Sequence, residues 1–164
     1  MNKLEQLKTK IYSLEKLRSQ LAIWAFLDKK IVFTNGCFDI LHLGHIDYLS
    51  KAKELGDILV IGLNTDKSVR DIKGKARPIT DEISRATILA SLTFVDAIVY
   101  FEEETPYDLI NFIQPDILVK GSDYKAEDIV GYDIVKAKGG KIKTLDFLPG
   151  YSTSAIEDRI KKGK

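Results

Sequence analysis

The chain has 164 residues, 45% hydrophobic and 30% charged, with 25 basic against 24 acidic side chains. That length and composition predict one globular domain with a buried core and exclude an intrinsically disordered chain. The net charge of +1 speaks against a nucleic-acid partner, while the one cysteine, Cys37, excludes a disulfide framework and fits a reducing, cytoplasmic setting.

No apolar run reaches the roughly 18 residues that a bilayer span needs, so no membrane partner is expected. The apolar residues near the N-terminus are interrupted by Lys, Glu and Gln, unlike a signal peptide. Residues 1–29 are predicted to form an N-terminal helical extension ahead of a domain over residues 30–164. Leu4, Leu7, Ile11 and Leu14, then Leu17, Leu21 and Trp24, recur at helical spacing. Ser13 is placed to cap a second helix after a break near Tyr12. The stripe is expected to cover its own domain.

From Ile31 the pattern changes to strands alternating with helices. Ile31-Val32-Phe33-Thr34 is a continuous apolar run, the mark of a strand buried on both faces. A helix is predicted over 44–55, with Ile46, Leu49 and Ala52 on its inner side and Gly56 at its C-terminal cap. Residues 58–63 read as the second strand. A polar loop with Lys73, Gly74, Lys75, Arg77 and Pro78 comes next. Thr80 then caps a helix through Leu92, with Ile83, Ile88 and Leu92 inward. The third strand is Ala97–Phe101, and Thr105-Pro106 opens a helix through Ile113 with proline at its first position. Residues 116–120 form the fourth strand, 129–138 a helix ending at Gly139-Gly140, and 142–145 the fifth strand. A last helix starts near Ser152. The class is α/β: a doubly wound, five-stranded parallel sheet covered on both faces. Ligands of such sheets bind beyond the carboxyl ends of the strands.

Both histidines of the chain, His42 and His45, follow the first strand, three residues apart and therefore on one face of the helix they enter. Free N–H groups at a helix N-terminus favour an anion, and two imidazoles there can donate to phosphate oxygens. Gly36 and Gly44 let a ligand approach the backbone. Two packed histidines without a ligand are the bland alternative. A metal site from His42, His45 and Asp39 is a third reading, opposed by the isolated cysteine and the lack of another histidine. Lys73, Lys75 and Arg77 suit a triphosphate, or form a solvated basic loop. Gly121 and Asp123 suit a turn that meets a ligand, or a plain turn. Ser152, Thr153 and Ser154, after Gly150, cap a helix, and the same array can hold a phosphate or an adenine edge.

The run NGCFDILHLGH resembles the signature of the nucleotidyltransferase superfamily with the HxGH motif, which includes cytidylyltransferases. TNGCFDILHLGH, KGKARPI, VDAIVYFEEETP, PDILVKGSDY and GGKI before STSAI resemble one branch, the adenylyltransferase halves of bacterial ADP-heptose synthases. The resemblance implies a Rossmann-like fold and an enzyme that joins ATP to D-glycero-β-D-manno-heptose 1-phosphate with release of pyrophosphate. In that branch the half is often fused to a sugar kinase, for which 164 residues leave no room, so a stand-alone adenylyltransferase is expected.

The resemblance also implies residue roles. His42 and His45 contact the α- and β-phosphates and stabilise the pentacovalent transition state. Lys73 acts with them, and Arg77 binds the triphosphate. Gly36, Cys37, Phe38, Asp39, Gly44, Gly121, Asp123, Gly150, Ser152, Thr153 and Ser154 line the nucleotide, with Asp39 orienting the histidine loop. Arg85 resembles a family arginine that helps hold substrate and nucleotide phosphate, and Asn64 and Asp66, at the second strand end, are the further candidates to face the acceptor. Mg²⁺ accompanies ATP, no protein metal site is expected, and two copies form a homodimer. Cytidylyltransferases carry an arginine before their Gly-X-Ser-Thr run. This chain has Phe147-Leu148-Pro149 there, which weighs against cytidine. The rival readings are glycerol-3-phosphate cytidylyltransferase, an FAD synthetase-like enzyme, and a nucleotide-binding subunit without catalysis.

Overall fold

Every residue from Ile31 to Thr34 is shut off from water, because the strand they form sits in the middle of the sheet with helices on both faces. The computed structural model describes residues 1–122 and 125–163. In chain order the elements are α1 (Lys3–Lys8), β1 (Ile11–Tyr12), α2 (Leu14–Phe26), β2 (Ile31–Gly36), α3 (Leu43–Lys53), β3 (Ile58–Asn64), α4 (Asp66–Lys73) and α5 (Glu82–Ala90). They continue with β4 (Ala97–Phe101), α6 (Tyr107–Ile113), β5 (Ile117–Gly121), a 3₁₀ turn (Ala126–Asp128), α7 (Tyr132–Ala137), β6 (Lys141–Leu145) and α8 (Thr153–Lys161).

The sheet order is β1-β4-β3-β2-β5-β6, and every described pairing is parallel. Successive strand residues point to opposite faces, so one strand feeds two cores. Phe33, Val60, Val99 and Leu118 meet Leu17 and Trp24 of α2, Leu109 and Ile110 of α6, and Val135 of α7. Their neighbours Val32, Leu59, Ile61, Ile98 and Val119 meet Leu49 and Ala52 of α3 and Ala86, Leu89 and Ala90 of α5.

Six strands are present among the described residues, one more than the sequence pattern predicts. The extra one is β1, at the break near Tyr12, where Ile11 and Tyr12 pair with Ile98 and Val99. A two-residue strand is too short to leave an alternation in the sequence. Ser13 does cap α2, accepting from the Lys16 N–H at 3.3 Å. The first 29 residues thus contribute a strand to the same sheet, and Leu17 and Trp24 to the same core.

Helix α4 replaces the first part of the predicted polar loop. It buries only Ser68 and Val69, so it carries no apolar stripe to read. Its start is set by Thr65, whose side chain accepts from Ser68 N–H at 3.2 Å. Helix α5 is capped by Asp81, which accepts from Ser84 N–H at 2.9 Å. Thr80, predicted for that task, instead turns its hydroxyl to Asp39. The inward phase of α5 also differs. Ile83 and Ile88 are 66% and 44% exposed, while Arg85, Ala86, Leu89 and Ala90 are buried. A buried guanidinium, hydrogen-bonded through each of its three nitrogens, takes the place that periodicity reserved for apolar side chains.

Gly56 is not a left-handed cap. Helix α3 ends on Glu54 in right-handed conformation, and a Cβ on Gly56 would meet Val32 Cγ2 at 2.7 Å and the Lys30 carbonyl at 2.8 Å. Pro106 stands one residue before α6 rather than inside it. Helix α7 begins later than predicted, because Gly131 is left-handed at φ 87° and packs where a Cβ would meet Ile110 at 2.7 Å.

Leu17→Ala tests whether the N-terminal segment is part of the core. Leu17 is fully buried, and its truncation is expected to lower the unfolding free energy by ~2–5 kcal/mol in urea titration. A loss below ~0.5 kcal/mol, the range of a surface change, would place α2 outside the cooperative unit.

Candidate active site

The chain leaves β2 towards β3 and β4 on one side, then crosses back to β5 and β6 on the other. The loops after β2 and β5 therefore diverge and leave a crevice between two neighbouring strand ends. Asn35, Gly36 and Cys37 from β2, Asn64 from β3, and Lys120 and Gly121 from β5 line it, in a cavity of about 480 Å³. Phe38, Asp39, His45, Lys73 and Thr153 share that lining.

The histidine loop is shaped by small and strained residues. Phe38 is left-handed at φ 46°. A Cβ on Gly36 would lie 3.0 Å from the Phe38 ring, so glycine lets the ring fold back over the strand end. The Phe38 ring then meets His45 edge-on, centroids 5.2 Å apart at 64°. His42 precedes α3 in extended conformation, and its carbonyl accepts from His45 N–H at 2.9 Å. The two imidazoles stack at 3.8 Å and 20°. A Cβ on Gly44 would lie 3.1 Å from the His42 ring and from Tyr151 Cβ, so glycine keeps these groups close.

Both Nδ1 atoms are buried without a hydrogen-bond partner among the described residues. Burial pushes His45 down to about 4, helped by the charges of His42 and Lys73 and opposed by the Ile40 carbonyl. Burial also lowers His42. The pair is therefore neutral at pH 7, each ring keeping one N–H to donate.

Asp39 ties the loop to the next segment. Its Oδ1 accepts from the N–H groups of Ile79 at 2.8 Å and Thr80 at 3.0 Å, and its Oδ2 from Arg77 at 2.8 Å. Burial would raise this carboxyl, but the Thr80 N–H, the Arg77 guanidinium and the Ile79 N–H outweigh it and hold Asp39 below the usual range. Arg77 also bonds Glu157 of α8. Its guanidinium thus joins three segments and does not line the cleft.

Arg85 and Asp66 do not line it either. They pair with each other at 2.7 Å, and the Arg85 side chain has no exposure to solvent. Asn64 does reach the cleft, giving Nδ2 to Ser68 at 2.9 Å and facing the Cys37 thiol at 3.7 Å. Burial pushes that thiol up, against the pull of Lys73 and Arg85.

His42 lines a second cavity of about 270 Å³ with Gly150, Tyr151 and Ser152. Ser152 caps α8, accepting from Ala155 N–H at 3.1 Å. Ser154 is exposed and lines neither cavity. Asp123 lies outside the described residues.

Sequence reasoning gave no site role to Lys120, Tyr48, Phe147 or the Glu104-Thr105-Pro106 segment, all of which line the cleft. Lys120 bonds the Asn35 side chain, and Tyr48 shares a 2.8 Å hydrogen bond with Thr34. Lys120 left a signal: a lysine directly after the buried run Ile117-Leu118-Val119. Among the described residues no group of three or more His, Cys, Asp or Glu could hold a metal ion, and no helix is long and apolar enough to cross a membrane.

Residues 33–159 match the family model described as cytidylyltransferase-like. Over 153 residues the chain is 54% identical to the bifunctional protein HldE of Campylobacter jejuni subsp. doylei, covering 92% of this chain and 32% of that protein. It is 57% identical over 133 residues to the bifunctional protein HldE of Nitratiruptor sp., covering 81% of this chain and 28% of that one. The chain spans about a third of the length of these curated relatives. A solved lipopolysaccharide core biosynthesis protein from Thermoplasma volcanium GSS1 superposes with a TM-score of 0.58 at 32% identity, covering 73% of this chain and 97% of that chain. A pantoate-beta-alanine ligase from Francisella tularensis superposes at 0.61 with 19% identity, over 92% of this chain and 76% of that chain, a likeness of fold alone.

The depressed histidines set a pH dependence of stability. Unfolded His45 takes up a proton near its usual 6.5, whereas the folded ring resists until about 4. The unfolded chain binds more protons in that window, so stability is full above pH 6.5 and declines as the pH falls towards 4. Urea midpoints are expected to drop across this window, and to drop less in His45→Gln. An equal decline in that variant would contradict a neutral, buried ring.

Proposed function

The chain belongs to the cytidylyltransferase-like family, and from that premise we propose that it is an adenylyltransferase joining ATP and D-glycero-β-D-manno-heptose 1-phosphate to give ADP-heptose and pyrophosphate. The observation that carries the reading is the stacked imidazole pair at the start of α3, with Lys73 and Lys120 in the cleft that His45 lines. The identity of 54% to a bifunctional protein HldE supports the branch. The lipopolysaccharide core biosynthesis protein among the solved relatives supports a sugar acceptor.

A phosphate oxygen of the sugar 1-phosphate attacks the α-phosphorus of ATP. The new oxygen–phosphorus bond forms as the bond from the α-phosphorus to the α,β-bridging oxygen breaks, and pyrophosphate leaves with that electron pair. The nucleophile is already an anion, so no general base is required. The task of the protein is to bring two polyanions together and offset their repulsion. The imidazoles donate from their remaining N–H to non-bridging oxygens, and the ammonium groups of Lys73 and Lys120 supply positive charge. Arg77 serves the same chemistry indirectly, by clamping Asp39 and α8 beside the histidine loop.

In this reading the protein offers Mg²⁺ no assigned ligand of its own. Mg²⁺ then arrives on the triphosphate as part of the substrate, and no step is assigned to it. The pairing of two copies belongs to the same proposal, and sedimentation of the purified protein checks it.

Incubation with ATP, Mg²⁺ and the heptose 1-phosphate is expected to release pyrophosphate and form ADP-heptose, resolved by mass. Preference for CTP, or for glycerol 3-phosphate as acceptor, would overturn the assignment in favour of a cytidylyltransferase. His45→Ala is expected to lose ~10²–10³ in turnover while remaining folded. Near-normal turnover would remove its role.

A further inference from the structure

Arg85 is the largest fully buried side chain among the described residues, at 1% exposure. Taking a guanidinium out of water is unfavourable by several kcal/mol unless its donors are satisfied. Here each of the three nitrogens is used. Nε donates to the Thr80 carbonyl at 3.0 Å, Nη1 to the Cys37 carbonyl at 2.6 Å, and Nη2 to Asp66 Oδ1 at 2.7 Å.

The three acceptors belong to three different segments. Cys37 starts the loop that carries His42 and His45. Thr80 belongs to the stretch that grips Asp39. Asp66 is the first residue of α4, whose last residue is Lys73. The start of α4 is held a second time from the same helix, since Asp66 N–H donates to Glu82 Oε2 at 2.7 Å. Glu82 and Arg85 lie three apart on one face of α5 and so clamp both the backbone and the carboxylate of Asp66.

We propose that Arg85 is a positioning residue, which fixes α4, and with it Lys73, against the histidine loop without touching substrate. The inference rests on the adenylyl transfer proposed above and deepens it. An eight-residue helix is a stiff lever about 12 Å long, so a tilt at Asp66 becomes a displacement of the Lys73 ammonium. The planar fork of arginine is what allows three carbonyl-type acceptors in three directions; an ammonium group has no such geometry.

Two variants test this, Arg85→Lys and Asp66→Asn, each assayed well below its melting temperature. A misplacement of about 1 Å at the reacting groups is enough for a ~10²-fold loss, so kcat is expected to fall about that far in Arg85→Lys and about tenfold in Asp66→Asn. The KM values for ATP and for the acceptor are expected to stay within about threefold. Cys37 supplies an independent readout, because it is the one thiol in the chain. Loss of the Arg85 bond to its carbonyl frees the loop, and the thiol is expected to react with an aromatic disulfide about tenfold faster, a release that follows from local opening. A rise in acceptor KM with kcat held would make Arg85 a substrate contact. A lowered melting temperature with kcat and thiol reactivity unchanged would make it a structural residue only. Either result overturns the proposal, and if Arg85→Lys does not fold, Asp66→Asn decides by the same readouts. The thiol reaction needs no substrate, so it tests the brace even if the heptose phosphate proves to be the wrong acceptor.

Discussion

Two imidazole rings stacked at 3.8 Å cannot both carry a proton without strong repulsion, and most of the site follows from that constraint. Their neutrality comes from burial against Phe38 and from nearby positive charge, not from a carboxylate partner. A carboxylate beside either ring would draw in a proton and also repel a triphosphate. The nearby carboxylate, Asp39, is occupied by two backbone N–H groups and Arg77. Positive charge instead enters the cleft on two lysines, Lys73 from the end of α4 and Lys120 from β5.

Rigidity around the cleft is built by polar side chains that bond to one another. Asp39, Arg77, Thr80, Arg85, Asp66 and Glu82 form a continuous set of hydrogen bonds linking the β2 loop, the start of α4, the start of α5 and α8. Apolar packing ends at the strand ends, where the backbone must open to admit a ligand. Beyond that boundary, charge-assisted hydrogen bonds in a partly dry environment are the remaining means of fixing loops.

Much of the sheet was legible in the sequence. Ala97–Phe101 matches residue for residue, and the runs at Ile31, Ile58, Ile117 and Ile142 are strands within one or two positions. Buried parallel strands write themselves as unbroken apolar runs. Helix α4 did not, because it is capped and clamped by polar groups and buries almost nothing. The phase of α5 misled for a related reason: a buried arginine with each of its three nitrogens hydrogen-bonded reads as a surface residue in any hydrophobicity pattern. The histidines and Lys73 were legible as site candidates by type and place. Lys120 was printed in the same stretch as Gly121 and passed over, since only its pairing across to Asn35 shows that it belongs to the rim of β2. Arg77 was read as a ligand of the triphosphate and Arg85 as a contact of the acceptor. What the sequence lacks is the list of acceptors that already occupy them.

The borders of the sheet carry a consequence of their own. At one border β1 offers only Ile11 and Tyr12, and at the other β6 sets the exposed ammonium groups of Lys141 and Lys143 along its length. A foreign strand therefore finds either too little backbone to grip or a row of like charges to cross. A molecule with five near-continuous hydrophobic segments is protected in this way from templated stacking in a crowded solution.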